Sequence, residues 1–104
     1  IMLEVYEISK ALPKEEKYGL GDQIRRASVS IPSNIAEGCS RSSELEFKRY
    51  LEIAIGSAFE LETQVLAIEK LQLVRFDFES FFVKIDSLQK KLNALISSVK
   101  SRIK

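Results

Sequence analysis

The chain has 104 residues, 45% of them apolar and 30% charged, with 16 basic side chains against 15 acidic ones and a net charge of +1. That length suits one domain with one core over residues 1–104, and the even balance gives no global electrostatic case for nucleic acid. A single cysteine, Cys39, excludes an internal disulfide, and the absence of histidine removes the commonest general base and metal ligand. No metal or cofactor is expected, and a reducing, cytoplasmic compartment is the default. No apolar run approaches the roughly 20 residues needed to span a bilayer, and no signal-peptide pattern opens the chain. Ile1 begins an apolar helical pattern with no cap and no initiating methionine, which reads as a trimmed end.

The first segment sets Ile1, Val5, Ile8 and Leu12 at four-three-four spacing, the mark of one buried helical stripe, and Pro13 ends it. A helix over about 1–12 is predicted. Pro13 to Gly19 carries Lys14, Glu15, Glu16 and Lys17 and reads as a charged loop, closed by Gly19 and Gly21. A second helix over about 20–38 places Leu20, Ile24, Ala27, Ile31 and Ile35 on one face if it runs through Pro32. An interior proline costs a helix roughly 3 kcal/mol, so packing must hold this one. Gly38 is expected to end it in the left-handed C-cap conformation.

Ser43 with Glu46 three residues later is a capping box, which opens a third helix over about 43–71. There Phe47, Leu51, Ala54, Ala58, Leu61, Val65 and Ile68 alternate spacings of four and three, the seam of a coiled-coil-like bundle. Residues 72 to 77 break that pattern, with Asp77 as the candidate cap of a fourth helix over about 77–102. In it Phe81, Ile85, Leu88, Leu92, Leu95 and Val99 form the seam. Four amphipathic segments with short connections predict an all-α, up-and-down antiparallel four-helix bundle.

Catalytic constellations are poor. Cys39 has no evident activating base, Ser28, Ser30 and Ser33 lack a histidine, and Glu60 and Glu62 diverge on their helix. Binding is the better prospect. Arg26, Ser30, Ser33 and Glu37 form a polar stripe opposite the isoleucine face, while Arg25 flanks it beside Val29, Pro32 and Ala36. Guanidinium forks suit phosphate and carboxylate, so Arg25 and Arg26, with Arg41, Lys48 and Arg49 near the start of the third helix, are candidate nucleic-acid ligands. Six basic residues from Lys84 to Lys104 against Asp86 alone make the last helix locally basic. The competing reading spends these cations on internal acids: Glu44 and Glu52 lie four residues either side of Lys48, and Glu62, half-buried by its register, needs a partner that Arg25 or Arg26 could supply. No aromatic alternates with the basic residues as a stacking surface for single strands requires.

Gly56, Ser57 and Ala58 permit close approach of another helix, within the chain or from a second subunit. Ile55, Phe59 and Leu66, with Phe78, Phe82, Ile96 and Ile103, add apolar surface beyond the two seams. Self-association through these faces is expected.

The run from Gly19 to Gly38, G-L-G-D-Q-I-R-R-A-S-V-S-I-P-S-N-I-A-E-G, followed by Ser43, Glu46, Phe47, Leu51, Ala54, Gly56, Ser57 and Glu60-Leu61-Glu62-Thr63, resembles the bacterial intervening-sequence protein family, sometimes labelled ribosomal protein S23. The resemblance implies a small helical bundle that assembles as a pentameric ring, some members being encoded within intervening sequences of large-subunit ribosomal RNA genes. A related group serves as the accessory protein of diversity-generating retroelements, which associates with reverse transcriptase and with nucleic acid through a basic surface. The expectation is therefore a non-enzymatic, ring-forming, RNA-associated protein, with a protein-interaction adaptor that touches no nucleic acid as the alternative.

Overall fold

The computed structural model describes residues 1–103; Lys104, one of the six basic residues of the C-terminal segment, lies outside them. The chain is all-helical and forms a four-helix bundle. Its helices are α1 (Met2–Ala11), α2 (Asp22–Cys39), α3 (Glu44–Lys70) and α4 (Phe78–Arg102).

The helix ends follow from local chemistry. The Ser43 hydroxyl accepts the Glu46 N–H at 3.1 Å, and the Asp77 carboxylate accepts the Ser80 N–H at 3.1 Å, each satisfying one of the donors that a helix start leaves unpaired. At the other end of α3 the Gln72 N–H donates to the Glu69 carbonyl and the Leu73 N–H to the Ile68 carbonyl. Gln72 itself sits in the left-handed region with φ 55°, completing a Schellman stop.

Two elements differ from the reading of the sequence. The charged stretch after Pro13 is not an open loop: Lys14–Glu16 make one helical turn and Lys17–Gly21 continue it as a wide π-type turn into α2. Leu12 and Pro13 are both extended, so the reversal of direction is made there and the residues after it are free to wind. Gly38 is not a left-handed cap, since no glycine has positive φ among the described residues. It is buried inside α2, which runs on to Cys39. A β-carbon there would lie 2.9 Å from Tyr50 Cβ and 3.0 Å from Phe47 Cδ1, so the glycine lets α2 and α3 touch.

The antiparallel order shows in the contacts between helices. Gly38 meets Phe47 and Tyr50 near the α2–α3 turn, and further along Ser30 and Ser57 share a 2.8 Å hydrogen bond. Arg102 at the end of α4 pairs with Glu44 at the start of α3, and Lys84 pairs with Glu4 of α1, both at 3.2 Å. The core takes Val5 and Ile8 from α1 with Leu12 just after it, Ile24, Ala27 and Ile31 from α2, all the predicted α3 seam except the half-buried Phe47, and Phe81, Ile85, Leu92 and Val99 from α4. Each fully buried aliphatic or phenyl side chain contributes about 1.5–3 kcal/mol, enough in sum to carry α2 through Pro32. Leu88 is half-buried and Leu95 stays exposed at the edge of α4.

Phe78 is buried, which removes it from the expected outer apolar surface. Phe82, Ile96 and Ile103 are half-buried, while Phe59 remains 50% and Leu66 42% exposed. No helix among the described residues is long and apolar enough to cross a membrane.

Candidate functional site

The outer face of α2 carries an open groove of about 570 Å³ lined by Asp22, Arg25, Arg26, Val29, Ser30 and Ser33, with Tyr6 contributed by α1. Helical spacing explains the α2 contribution, because Asp22, Arg26, Val29 and Ser33 recur every three or four residues on one side. Tyr6 follows Val5, which points into the core, so its ring is carried toward the α1–α2 boundary and is 39% exposed. The Ser9 hydroxyl donates to the Tyr6 carbonyl at 3.0 Å and the Ser28 hydroxyl to the Arg25 carbonyl at 2.9 Å. Both buried serines therefore spend their polar atoms on the backbone of groove residues.

The two arginines have different surroundings. Arg25 pairs with Asp22 one turn earlier, and its Nη1 lies 3.5 Å from where a β-carbon on the buried Gly21 would stand. Its guanidinium is thus held across the start of α2. Arg26 is exposed and has no acidic partner among the described residues. Ser30 departs from the expected solvent-facing stripe: it is half-buried, bonded to Ser57 of α3, and receives the Asn34 amide at 2.9 Å. The polar stripe is in part a clasp between α2 and α3.

The remaining candidate cations do not join this groove. Arg41 lies past the far end of α2, where it pairs with Glu37 and Glu46, donates to the Tyr50 hydroxyl at 3.0 Å and stacks 5.1 Å from that ring. Tyr50 and then Glu37 raise the pKa of its exposed guanidinium. Arg26 and Glu37 are eleven positions apart on α2, about 16 Å along a helix axis. Lys48 pairs with Glu52 at 3.2 Å, whereas Glu44, the other acid expected beside it, pairs with Arg102 of α4, and Lys48 faces away from Tyr50, two positions along. Arg49 is exposed without an acidic partner among the described residues. On α4, Lys84, Lys90 and Arg102 are all paired with acids.

Glu62 is half-buried, but neither Arg25 nor Arg26 reaches it. Its partner is Gln89 of α4, which is buried and donates from Nε2 to Glu62 Oε1 at 3.3 Å. This pair borders a second groove, about 430 Å³, where Ile55 and Phe59 of α3 face Ile96 of α4 under a rim of Glu52, Asp86, Lys90 and Asn93.

The profile of the 23S rRNA-intervening sequence protein family matches residues 1–94. The chain belongs to that family. The match takes in the whole stretch from Gly19 to Thr63 that carries the resemblance, and both groove-forming helices. No curated protein matches the chain. Within this intervening-sequence protein, no group of three or more histidine, cysteine, aspartate or glutamate side chains is placed to hold a metal ion among the described residues. Cys39 is a free, exposed thiol.

Two residues of these sites escape a linear reading. Tyr6 belongs to the arginine groove only because α1 folds back along α2, and nothing in its local spacing announces it. Gln89 does leave a signal, since it stands between Ile85 and Leu92 at four-three spacing, a polar side chain on a seam.

Proposed function

We propose that the protein is a non-catalytic, self-assembling helical bundle that associates with RNA through the α2 groove. The observation that supports RNA contact is the pairing of an acid-restrained Arg25 with an unpaired Arg26 in one open groove. The family's association with an intervening sequence of 23S rRNA is the reason for choosing RNA among phosphate polymers. Self-assembly is supported by the α3–α4 groove, whose Phe59 is half exposed and whose Ile55 and Ile96 are only partly covered by the chain itself. A pentameric ring is the form that the family resemblance implies. The reducing cytoplasm suits a chain with one free, exposed cysteine.

The apolar character of that second groove also favours the rival reading, an adaptor whose ring engages another protein, such as a reverse transcriptase, and no nucleic acid. Titrating a structured RNA against salt separates the two. RNA contact predicts a linear fall of log affinity with log salt as counterions are released. No binding at low salt, or affinity indifferent to salt, overturns it. Mass in solution tests assembly, and a monomer at micromolar concentration overturns that part.

A further inference from the structure

The α2 groove is lined by Tyr6 together with Arg25 and Arg26, and we infer that it seats an unpaired nucleotide of single-stranded RNA, with the base stacked on Tyr6 and its phosphate on Arg26. The inference rests on the RNA reading and adds to it the form of RNA and the residue that selects it.

The charge in a single groove does not favour a duplex. Asp22 neutralises Arg25, so the groove offers one spare cation, Arg26. A phosphate contact of this kind contributes a salt slope of about 0.9 on duplex and about 0.7 on single strands, and non-specific duplex binding draws almost wholly on the sum of such contacts. One cation per protomer holds a duplex weakly. A base stacked on an aromatic side chain adds affinity that does not depend on charge, and only an unpaired base has a face to offer. Tyr6 is placed for that role: it lies on α1 outside the core stripe, it is 39% exposed, and its backbone carbonyl is tied down by buried Ser9. Val29, itself 39% exposed, gives the groove an apolar surface beside the ring. Ser33 adds an exposed hydroxyl able to donate to a sugar or phosphate oxygen. A volume near 570 Å³ lies within the range of about 300–1,000 Å³ that small-ligand pockets occupy.

The test is fluorescence anisotropy of the full chain with a short labelled oligouridylate and with a blunt RNA duplex of equal length, across a salt series. The single strand is expected to bind more tightly than the duplex. Tyr6→Ala should weaken single-strand binding by about 5- to 150-fold with the salt slope unchanged, and Tyr6→Phe, which keeps the ring, should stay within about twofold. Arg26→Gln should lower the slope by about 0.7. Circular dichroism melting checks that Tyr6→Ala remains folded. Equal binding of both RNAs, or a Tyr6→Ala variant that binds like the parent, overturns the stacking seat while leaving RNA association in place. If neither these probes nor a structured RNA binds at low salt, the RNA reading itself falls, and the seat with it.

Discussion

Gly38 of α2 and Tyr50 of α3 approach so closely that a β-carbon on the glycine would stand 2.9 Å from the tyrosine's own β-carbon. The neighbour atom is bonded directly to backbone and cannot swing aside, so any larger residue must push the two helices apart. Gly38→Ala gains about 1 kcal/mol of helix propensity but loses about 1–3 kcal/mol to overpacking, and the clash wins. A lowered denaturant midpoint with an unchanged m-value is expected. Gly56 is the control, because it is exposed and nothing outside its own stretch of helix lies within 4 Å of where a β-carbon would stand. Gly56→Ala should stabilise the protomer by about 0.5–1 kcal/mol, and equal effects at the two glycines would refute the close-approach account.

Gln72 has φ 55° at the end of α3, a backbone region that costs a residue with a β-carbon about 1–2 kcal/mol. Glycine removes that cost and returns part of the gain through its freer unfolded chain. Gln72→Gly is expected to stabilise by about 0.5–1 kcal/mol, which raises Tm by about 2–8 °C. A variant melting at or below the parent temperature would contradict the left-handed stop.

The extent to which the sequence announces these features follows from how local each one is. The third helix is legible because a capping box and a long four-three repeat agree, and every seam residue from Leu51 to Ile68 is buried. Gly38 misleads because a left-handed cap and a close helix approach both call for glycine, and only the neighbouring helix tells them apart. The charged turn after Pro13 misleads for the opposite reason: its composition suits a loop, but Gly21 packs near Leu12 and the guanidinium of Arg25, and that packing favours a wound backbone. The arginine pair is visible as a candidate, while its aromatic neighbour Tyr6 is not, since the groove is assembled from two helices of an antiparallel hairpin.

Glu62 and Gln89 form a polar contact at the buried edge of the α3–α4 interface. Removing one partner leaves the other under-satisfied, so single substitutions should lose more than the bond's net worth. In a double-mutant cycle, Glu62→Leu and Gln89→Leu are expected to show a coupling energy of about 0.5–1.5 kcal/mol. The same cycle between Glu62 and Arg25 should be additive within about 0.5 kcal/mol, because Arg25 is committed to Asp22. Coupling to Arg25 in urea unfolding would restore the ion pair that the structure does not contain.

Phe59 tests assembly with the least disturbance to the fold. Its ring is half exposed on α3 beside Ile55 and opposite Ile96, so in an isolated protomer Phe59→Asp gives up only the buried half of the ring, about 1 kcal/mol. Within a subunit interface the same change places a carboxylate against a partner's apolar surface, where desolvation of the charge is far more costly than in the monomer. Sedimentation at micromolar concentration should therefore show the parent as an oligomer and Phe59→Asp as a folded monomer with its helical circular dichroism retained. The parent's Tm should rise with protein concentration, because assembly draws on the folded state alone, and that dependence should vanish in the variant. An Ile53→Asp substitution probes another side of α3, where the side chain is also 50% exposed but lines neither groove, and is expected to leave the mass unchanged. Phe59→Asp sedimenting like the parent would exclude the α3–α4 groove as the assembly surface.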